Sequence, residues 1–219
     1  MIRRTELREF NALYHELAEA AITKLGEEEA SELNKKYIRK KQFFLQIFLT
    51  KDIDIFLQYV ADVLFETLMQ KPNLIGHPTD VDDSDFDTPD ERIRYCVEKT
   101  VRNISFSNIE KLSSFVERTT GIDLLPDGAM HELVTVLVAL RNLIVHNDTA
   151  IDDLFLRRVK GIALPFEFDS LPGGRIELDE KWVLESGTDV DELVFRFDEL
   201  IGEKFDIPRR NRFGIFWWH

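Results

Sequence analysis

The sequence predicts an all-α fold, a helical bundle that carries a small peripheral β-hairpin. Apolar residues recur at the three- and four-residue spacing of helices through most of the 219 residues, and helix-capping residues stand before several of these stretches. Strand-like alternation of apolar and polar residues is confined to the part of the chain after Gly161. With 44% hydrophobic residues and 17 phenylalanines, the chain has the composition of an ordered globular protein with a substantial core.

Residues 1–41 are predicted to form an N-terminal helix followed by a charged connector. Apolar residues spaced like one face of a helix run from Leu7 to Leu25, and Gly26 ends or bends that helix. The segment that follows, residues 27–41, is highly charged. We therefore expect the bundle proper to begin after it.

The core of the bundle is predicted to span residues 42–160. Its first helix runs from about Gln42 toward Met69, because apolar residues form one stripe along it. Residues 51–54, Lys-Asp-Ile-Asp, are a candidate break within this helix.

Capping signals place the other helices of the core. Residues 88–91, Thr-Pro-Asp-Glu, and residues 107–110, Ser-Asn-Ile-Glu, each match the capping box, with a hydroxyl N-cap and glutamate three residues later. Asp127 caps a long apolar helix that ends near residues 147–148. A shorter helix is expected over residues 151–159.

Residues 161–219 are predicted to hold the hairpin, a final helix and an aromatic tail. Residues 162–168 and 175–178 alternate, and a Leu-Pro-Gly-Gly turn lies between them. Thr188 is the expected N-cap of the final helix. The Phe-Trp-Trp tail at residues 216–218 is too apolar to extend into solvent, so it docks on its own bundle or clasps a second protomer.

The chain carries a formal net charge of −13, from 28 basic and 41 acidic residues. This balance argues against a broad nucleic-acid-coating surface, yet it leaves room for an enzyme that holds a few phosphates in a local positive groove. The single cysteine, Cys96, is predicted to be a small buried hydrophobe. The sequence has no disulfide framework or zinc-ligand spacing, and its longest apolar run, residues 43–49, is too short for a bilayer. We expect a cytoplasmic protein without membrane partner, metal or cofactor.

The acidic stretch at residues 80–91 invites comparison with a calcium-binding loop. Aspartates and a serine occupy the early ligand positions, and Glu91 occupies the twelfth. However, Asp85 stands where such a loop needs glycine, and Pro89 interrupts it. A mobile acidic loop is therefore favoured over a calcium site.

The most informative stretch is residues 141–146, Arg-Asn-Leu-Ile-Val-His, at the end of the long apolar helix. A buried helix rarely carries arginine, asparagine and histidine together unless they have partners or a task. Asn142 and His146 are four residues apart and share one helix face, which Arg141 flanks. Towards the start of the helix this face continues through Ala139 and Thr135. Their small side chains predict a seam where a second copy of the chain approaches.

Around a two-fold axis, two copies of Arg141, Asn142 and His146 would face one another. Two imidazoles can supply one general base and one general acid near neutral pH, and two guanidiniums suit the oxygens of a phosphodiester. This set is sufficient to cleave RNA without a metal. A base takes the 2′-hydroxyl proton, an acid protonates the 5′-oxygen, and a 2′,3′-cyclic phosphate remains; DNA lacks the required hydroxyl.

The motif resembles the R-X4-6-H motif of HEPN-domain proteins. Arg141 and His146 match its fixed positions with four residues between them, and Asn142 matches the polar residue that often follows the arginine in active members. A long bundle helix followed by a shorter one, then a strand pair, also resembles the family. The resemblance implies a HEPN-like bundle and a homodimeric, metal-independent endoribonuclease with Arg141, Asn142 and His146 in a composite site. It further implies a toxin or anti-phage abortive-infection effector, with RNA as substrate and an antitoxin or defence-system protein as candidate partner.

Other assignments near the motif stay open. Arg157 and Arg158 form a basic island that is a candidate substrate contact, but a solvated helix face explains them at least as well. Asn147 is a candidate for substrate binding and also suits a helix C-cap. The alternative interpretation of Arg141 and His146 is an interior salt bridge and a satisfied core histidine. The protein would then be an inactive HEPN-like module that binds a nucleotide or a partner protein as a dimeric scaffold, which the negative charge favours.

Overall fold

The structure, a computed structural model, describes residues 12, 13, 16, 27–75, 86–105, 107–164 and 173–207. Within residues 27–207 of this set, the chain forms six α-helices and one 3-10 helix, Pro72–Ile75. No strand longer than a single bridge occurs in the described ranges. The all-α prediction is confirmed. The helices are α1 Glu27–Gln70, α2 Pro89–Ser105, α3 Ile109–Thr120, α4 Gly128–Asn147, α5 Asp153–Arg158 and α6 Glu180–Phe205.

Helix α1 is the longest element, with 44 residues in one uninterrupted helix, which corresponds to a rod of about 66 Å. The predicted charged connector at residues 27–41 is therefore wrong, and so is the break at residues 51–54. Neither glycine nor proline occurs in this helix, so nothing in its backbone interrupts it. Its charged first turns lie largely exposed, with Tyr37 buried among them.

The core lies where α1 meets α2, α4 and α6. Large side chains from these helices are almost fully buried, among them Phe56, Leu140 and Phe197. Burial of apolar area on this scale is the main stabilising contribution to a helical domain. Cys96 is a free, buried cysteine, as predicted.

Helix α4 has the position of a central bundle helix. Seven of its twenty residues are buried. By length and composition alone it could cross a membrane, and it is the one helix of the described residues that passes this test. The core helix of a bundle passes the same test, so this observation does not distinguish the two settings.

Several predicted caps are confirmed. The Thr88 hydroxyl accepts a hydrogen bond from the Glu91 amide at 3.2 Å. The Asp127 carboxylate accepts one from the Met130 amide at 2.8 Å. The N-cap of α3, however, is Asn108 rather than Ser107. The Asn108 side chain accepts from the Lys111 amide, whereas the Ser107 hydroxyl donates to the carbonyl of residue 104 in the preceding helix.

The final helix begins earlier than predicted. Its N-cap is Asp179, whose carboxylate accepts from the Trp182 amide at 2.8 Å. Thr188, the expected cap, lies inside the helix and donates its hydroxyl to the Leu184 carbonyl. A mid-helix threonine with this bond is common, so the residue type alone did not mark the start.

The predicted β-hairpin is not confirmed. Arg175 forms an isolated antiparallel bridge with Ala150, in the link between α4 and α5. Residues 165–172, which include most of the other predicted arm, lie outside the described residues. Most of the first predicted helix, residues 76–85 with most of the acidic stretch, and the aromatic tail also lie outside the described residues.

Candidate functional site

An open pocket of about 540 Å³ lies between α1, α4 and the connection from α2 to α3. Its polar lining includes Arg141, Asn142 and His146 of α4, Arg158 of α5, and residues of the α2–α3 connection. Its apolar lining includes side chains of α1 and α4: Leu57, Ala61, Val138 and Ala139.

Arg141 is held by two hydrogen bonds. Its Nε donates to Oδ1 of Asp54 on α1 at 2.8 Å, and its Nη1 donates to Oδ1 of Asn142 at 3.1 Å. The Arg141 and Asp54 side chains are 27% and 33% exposed, so this ion pair is only partly removed from water. A guanidinium has five N–H donors, and the two bonds leave most of its outer fork available for an anion.

His146 lies one turn beyond Asn142 and is exposed. The alternative interpretation is therefore correct about the salt bridge of Arg141 but wrong about a satisfied core histidine. Because this imidazole is exposed on the pocket wall, it can contact a bound ligand without a rearrangement of the core. The last two turns of α4 thus present a guanidinium and an imidazole to the same space.

The link from α4 to α5 brings Arg158 to the wall of the same pocket. The Asp152 carboxylate caps α5 by accepting from the Phe155 amide at 2.6 Å. The Asn147 amide also donates to the Asp152 carboxylate. The residue that caps α4 is Asp148, in the left-handed conformation, so Asn147 is the last helical residue and not the C-cap.

The predicted site residues separate into two groups. Six of them line the pocket: Thr135, Ala139, Arg141, Asn142, His146 and Arg158. Asn147 and Arg157 do not; the first ties α4 to the cap of α5, and the second is exposed on α5. The two seam residues are 7% and 2% exposed, so a second copy could meet them only through the pocket mouth.

Sequence reasoning missed the residues that complete the pocket. Asp54 and Gln58 come from α1, and Ser105, Asn108 and Glu110 come from the α2–α3 connection. Asp54 could have been noticed from the sequence. It follows Ile53 of the apolar stripe in a core helix, and a carboxylate in such a position requires a partner. Asn108 and Glu110 were assigned only to capping, Gln58 and Ser105 were given no role, and nothing in the local pattern connects these four residues with α4.

Two hydroxyl groups on the pocket wall have no hydrogen-bond partner within the described residues. They are Oγ1 of Thr135 and Oγ of Ser105, and both atoms are buried. A buried hydroxyl without a partner costs about 1–3 kcal/mol, and proteins tolerate it mainly where a ligand or water completes the bond. Both oxygens lack accessible surface, so they do not indicate what the pocket binds.

The charges in the pocket are mixed. Its lining includes two arginines, Arg141 and Arg158, and two carboxylates, those of Asp54 and Glu110. No set of three or more histidine, cysteine, aspartate or glutamate side chains is arranged to bind a metal ion in the part of the chain that the structure describes. The donors present are those of an anion and hydrogen-bond site. No family model, curated protein or solved structure matches this chain significantly.

Proposed function

We propose that this protein is a metal-independent endoribonuclease of the HEPN type, acting as a toxin or anti-phage defence effector. The observation that supports the proposal most is the common location of Arg141, Asn142 and His146 on one open pocket. Arg141 is oriented there by Asp54 while its outer donors remain available. Motif residues that served only the core would instead have been packed against apolar side chains.

The proposed reaction needs two protomers. His146 of one protomer takes the proton of the 2′-hydroxyl, and the 2′-oxygen attacks the phosphorus. The bond from phosphorus to the 5′-oxygen breaks, and the imidazolium of the second protomer donates the proton to that leaving oxygen. The two copies of Arg141 stabilise the charge on the non-bridging oxygens, which grows in the transition state.

The surface of α1 supports the dimer. Phe43, Phe44 and Ile47 are 59%, 37% and 42% exposed. Ile47 stands seven residues before Asp54, so the exposed apolar residues and the pocket wall share one face of the helix. We propose that a second α1 packs there in antiparallel orientation. The basic residues 35–41 would then face the acidic part of the partner helix, which includes Asp54.

A second candidate function is an inactive module that binds a nucleotide or partner protein. The ion pair of Arg141 with Asp54 favours it, because a carboxylate at 2.8 Å neutralises much of the field that a phosphodiester would experience. In this case the pocket binds an anion without cleaving it. Both candidate functions use the pocket lined by Arg141 and His146, and they differ in whether His146 transfers a proton.

Cleavage of a single-stranded RNA in EDTA separates these functions. We expect wild-type protein to leave a 2′,3′-cyclic phosphate, and we expect His146→Ala to lose on the order of 10²–10⁴ in rate. His131→Ala, on the first turn of the same helix and outside the pocket, is the matched control and should cleave normally. RNA with a 2′-deoxy residue at the cleaved position should resist. Absence of cleavage by wild-type protein, or equal cleavage by His146→Ala, would remove the enzyme and leave the binding module.

The dimer is tested separately by light scattering at micromolar concentration. Wild-type protein should have twice the chain mass. Ile47→Glu, which puts a charge on an already exposed position, should give a folded monomer without ribonuclease activity. Leu154→Glu, exposed to a similar extent on α5, is the control and should stay dimeric. A wild-type monomer at this concentration contradicts the composite site.

A further inference from the structure

We propose that Arg158 is the residue that binds a backbone phosphate of the unreacted RNA, whereas Arg141 acts mainly on the transition state. This proposal rests on the proposed function for its choice of RNA as the ligand. Arg158 lines the same pocket as Arg141 and His146. The two arginines of the lining would then serve two different steps, binding and cleavage.

The two arginines differ in whether a carboxylate already compensates their charge. The Nε of Arg141 donates to Oδ1 of Asp54 at 2.8 Å. Arg158 is exposed and forms no hydrogen bond or ion pair within the part of the chain that the structure describes. All five N–H donors of its guanidinium are therefore available to an anion, and no bond within the described protein has to break before one binds.

This compensation changes what each arginine offers to an RNA strand before the reaction. An ion pair has no net charge, so its attraction for a phosphodiester falls off with distance more steeply than that of a single cation. The phosphodiester carries its negative charge from the outset and therefore binds to the uncompensated guanidinium of Arg158. The Asp54-bound guanidinium of Arg141 contributes most when additional charge develops on the non-bridging oxygens.

The other carboxylate of the lining, that of Glu110, limits how the phosphate can be held. Two arginines and two carboxylates leave the described lining without net formal charge when His146 is neutral. Binding therefore depends on directed hydrogen bonds from one guanidinium fork rather than on a broad positive field. The net charge of −13 for the whole chain disfavours a broad field in the same way.

The backbone of Arg158 is fixed relative to α4. Its neighbours Phe155 and Val159 are almost fully buried, so α5 is anchored on both sides of the arginine. The Val159 amide donates to the Phe155 carbonyl at 3.0 Å. The Asp152 carboxylate, which caps α5, also accepts from the side-chain amide of Asn147 at the end of α4. A guanidinium on such a backbone loses less freedom on binding than one on a mobile loop.

Arg157 provides an internal comparison, because it has the same charge one position earlier in the chain. It is exposed and likewise forms no hydrogen bond or ion pair within the described ranges, but it does not line the pocket. Attraction of RNA by surface charge alone involves both arginines about equally. A phosphate contact within the pocket involves Arg158 alone. The pair therefore distinguishes a specific contact from a solvated helix face.

The test measures RNA binding by fluorescence anisotropy with a fluorescein-labelled single-stranded RNA in EDTA. The full chain carries His146→Ala, so that the RNA stays intact. We expect Arg158→Gln to weaken binding by about tenfold, as for the loss of one hydrogen-bonded contact between charged groups. The slope of log Kd against log salt concentration should fall by about 0.7, the value for one phosphate contact with a single strand. Arg157→Gln is the matched control and should change Kd by less than about twofold, with the slope retained.

Steady-state cleavage in the wild-type background tests the division between the two arginines. Arg158→Gln should raise KM by a similar factor and keep kcat within about twofold, because an interaction present equally in the ground and transition states contributes to KM alone. Its thermal unfolding should match that of wild type, since the side chain is exposed and pairs with no described residue. A fall in kcat at unchanged KM overturns the assignment of Arg158 to binding.

The outcomes for the two proposals are distinct. If Arg158→Gln weakens RNA binding and Arg157→Gln does not, while wild-type protein cleaves no RNA, the phosphate contact is supported and the ribonuclease is removed. If wild-type protein cleaves RNA and the two substitutions change binding equally, the phosphate contact is overturned and the ribonuclease remains. Absence of detectable RNA binding also overturns the contact.

Discussion

The two sides of α1 use polar residues in different ways. Towards α6, each of three polar contacts is a closed pair. The Gln42 side chain donates to the Leu178 carbonyl at 2.9 Å and accepts from the Leu178 amide at 2.8 Å. Lys41 forms an ion pair with Glu180 at 2.7 Å, and the Tyr59 hydroxyl donates to the carboxylate of Asp198.

Towards α4, Asp54 of α1 pairs with Arg141, whose outer donors remain available on the wall of an open pocket. Polar groups that serve only to join helices are normally satisfied within the protein. The polar contacts on the α6 side therefore join helices, whereas in the proposed function the α4 side holds the ligand. Substitutions on the two sides should therefore affect different measurements.

Arg141→Ala should have the largest effect on the α4 side. Removal of a preorganised donor to the transition-state oxyanion costs about 10²–10³ in kcat, and we expect that loss with little change in thermal stability. Arg141→Lys should recover only part of the activity, because lysine keeps the charge but not the planar fork. Arg196→Ala, exposed on α6, is the control for loss of one positive charge. Equal kcat for Arg141→Ala and Arg196→Ala would contradict a catalytic fork.

Asp54→Ala should have the next largest effect. A carboxylate that fixes Arg141 in place contributes through geometry, and misplacement of a catalytic group by about 1 Å can cost about 100-fold. We expect kcat to fall by roughly 10- to 100-fold in the wild-type background and not to fall further when Arg141 is already alanine. If kcat rises instead, Asp54 shields Arg141, and the binding-module interpretation gains support.

Gln42→Ala tests the α6 side. It removes two hydrogen bonds to the backbone of residue 178 and leaves that peptide unpaired. We expect the free energy of unfolding to fall by about 1–2 kcal/mol in urea denaturation, with cleavage unchanged. Gln46→Ala, one turn further along α1, is the matched control. If Gln42→Ala lost cleavage without losing stability, the α6 side would not differ from the α4 side in the way described above.

The Lys41–Glu180 pair should give the smallest effect, and one that depends on pH. Burial lowers the pKa of Lys41, but the hydrogen bond and charge of Glu180 outweigh it, so the net pKa is raised. A raised pKa stabilises the fold below the unfolded value of about 10.4 and ceases to do so as pH rises through the folded value. Lys41→Met should thus lower stability by about 0.2–1 kcal/mol at pH 7, and the difference should shrink above about pH 10.4. Lys181→Met, in an exposed pair, should show a smaller change or none.

The fold could be predicted from the sequence where local signals were complete. Helix α4 has an apolar run with Asp127 before it, and α2 has the Thr88 cap with Pro89 behind it. The first turns of α1 failed this approach. Their charged residues have good helix propensity, but Tyr37 is the one buried apolar residue recorded among residues 27–41. Without an apolar stripe, the sequence of such a helix cannot be distinguished from that of a charged connector.

The candidate site could be predicted only where its residues share one helix. Arg141, Asn142 and His146 are visible together because helical spacing brings them to one face. Asp54, by contrast, is 87 positions away from Arg141, and only tertiary packing joins them. The pocket residues of the α2–α3 connection were missed for the same reason, and capping already explained Asn108 and Glu110.

The link from α4 to α5 limits how the length of this protein can vary. Asp148 and Thr149 both have positive φ, 49° and 65°, which a β-branched residue rarely adopts. Backbone hydrogen bonds with residues 173–176 hold this reversal in place. One added residue before Arg158 would rotate that arginine by about 100° around α5 and away from the pocket. Related chains that keep the pocket should therefore conserve the number of residues from His146 to Arg158.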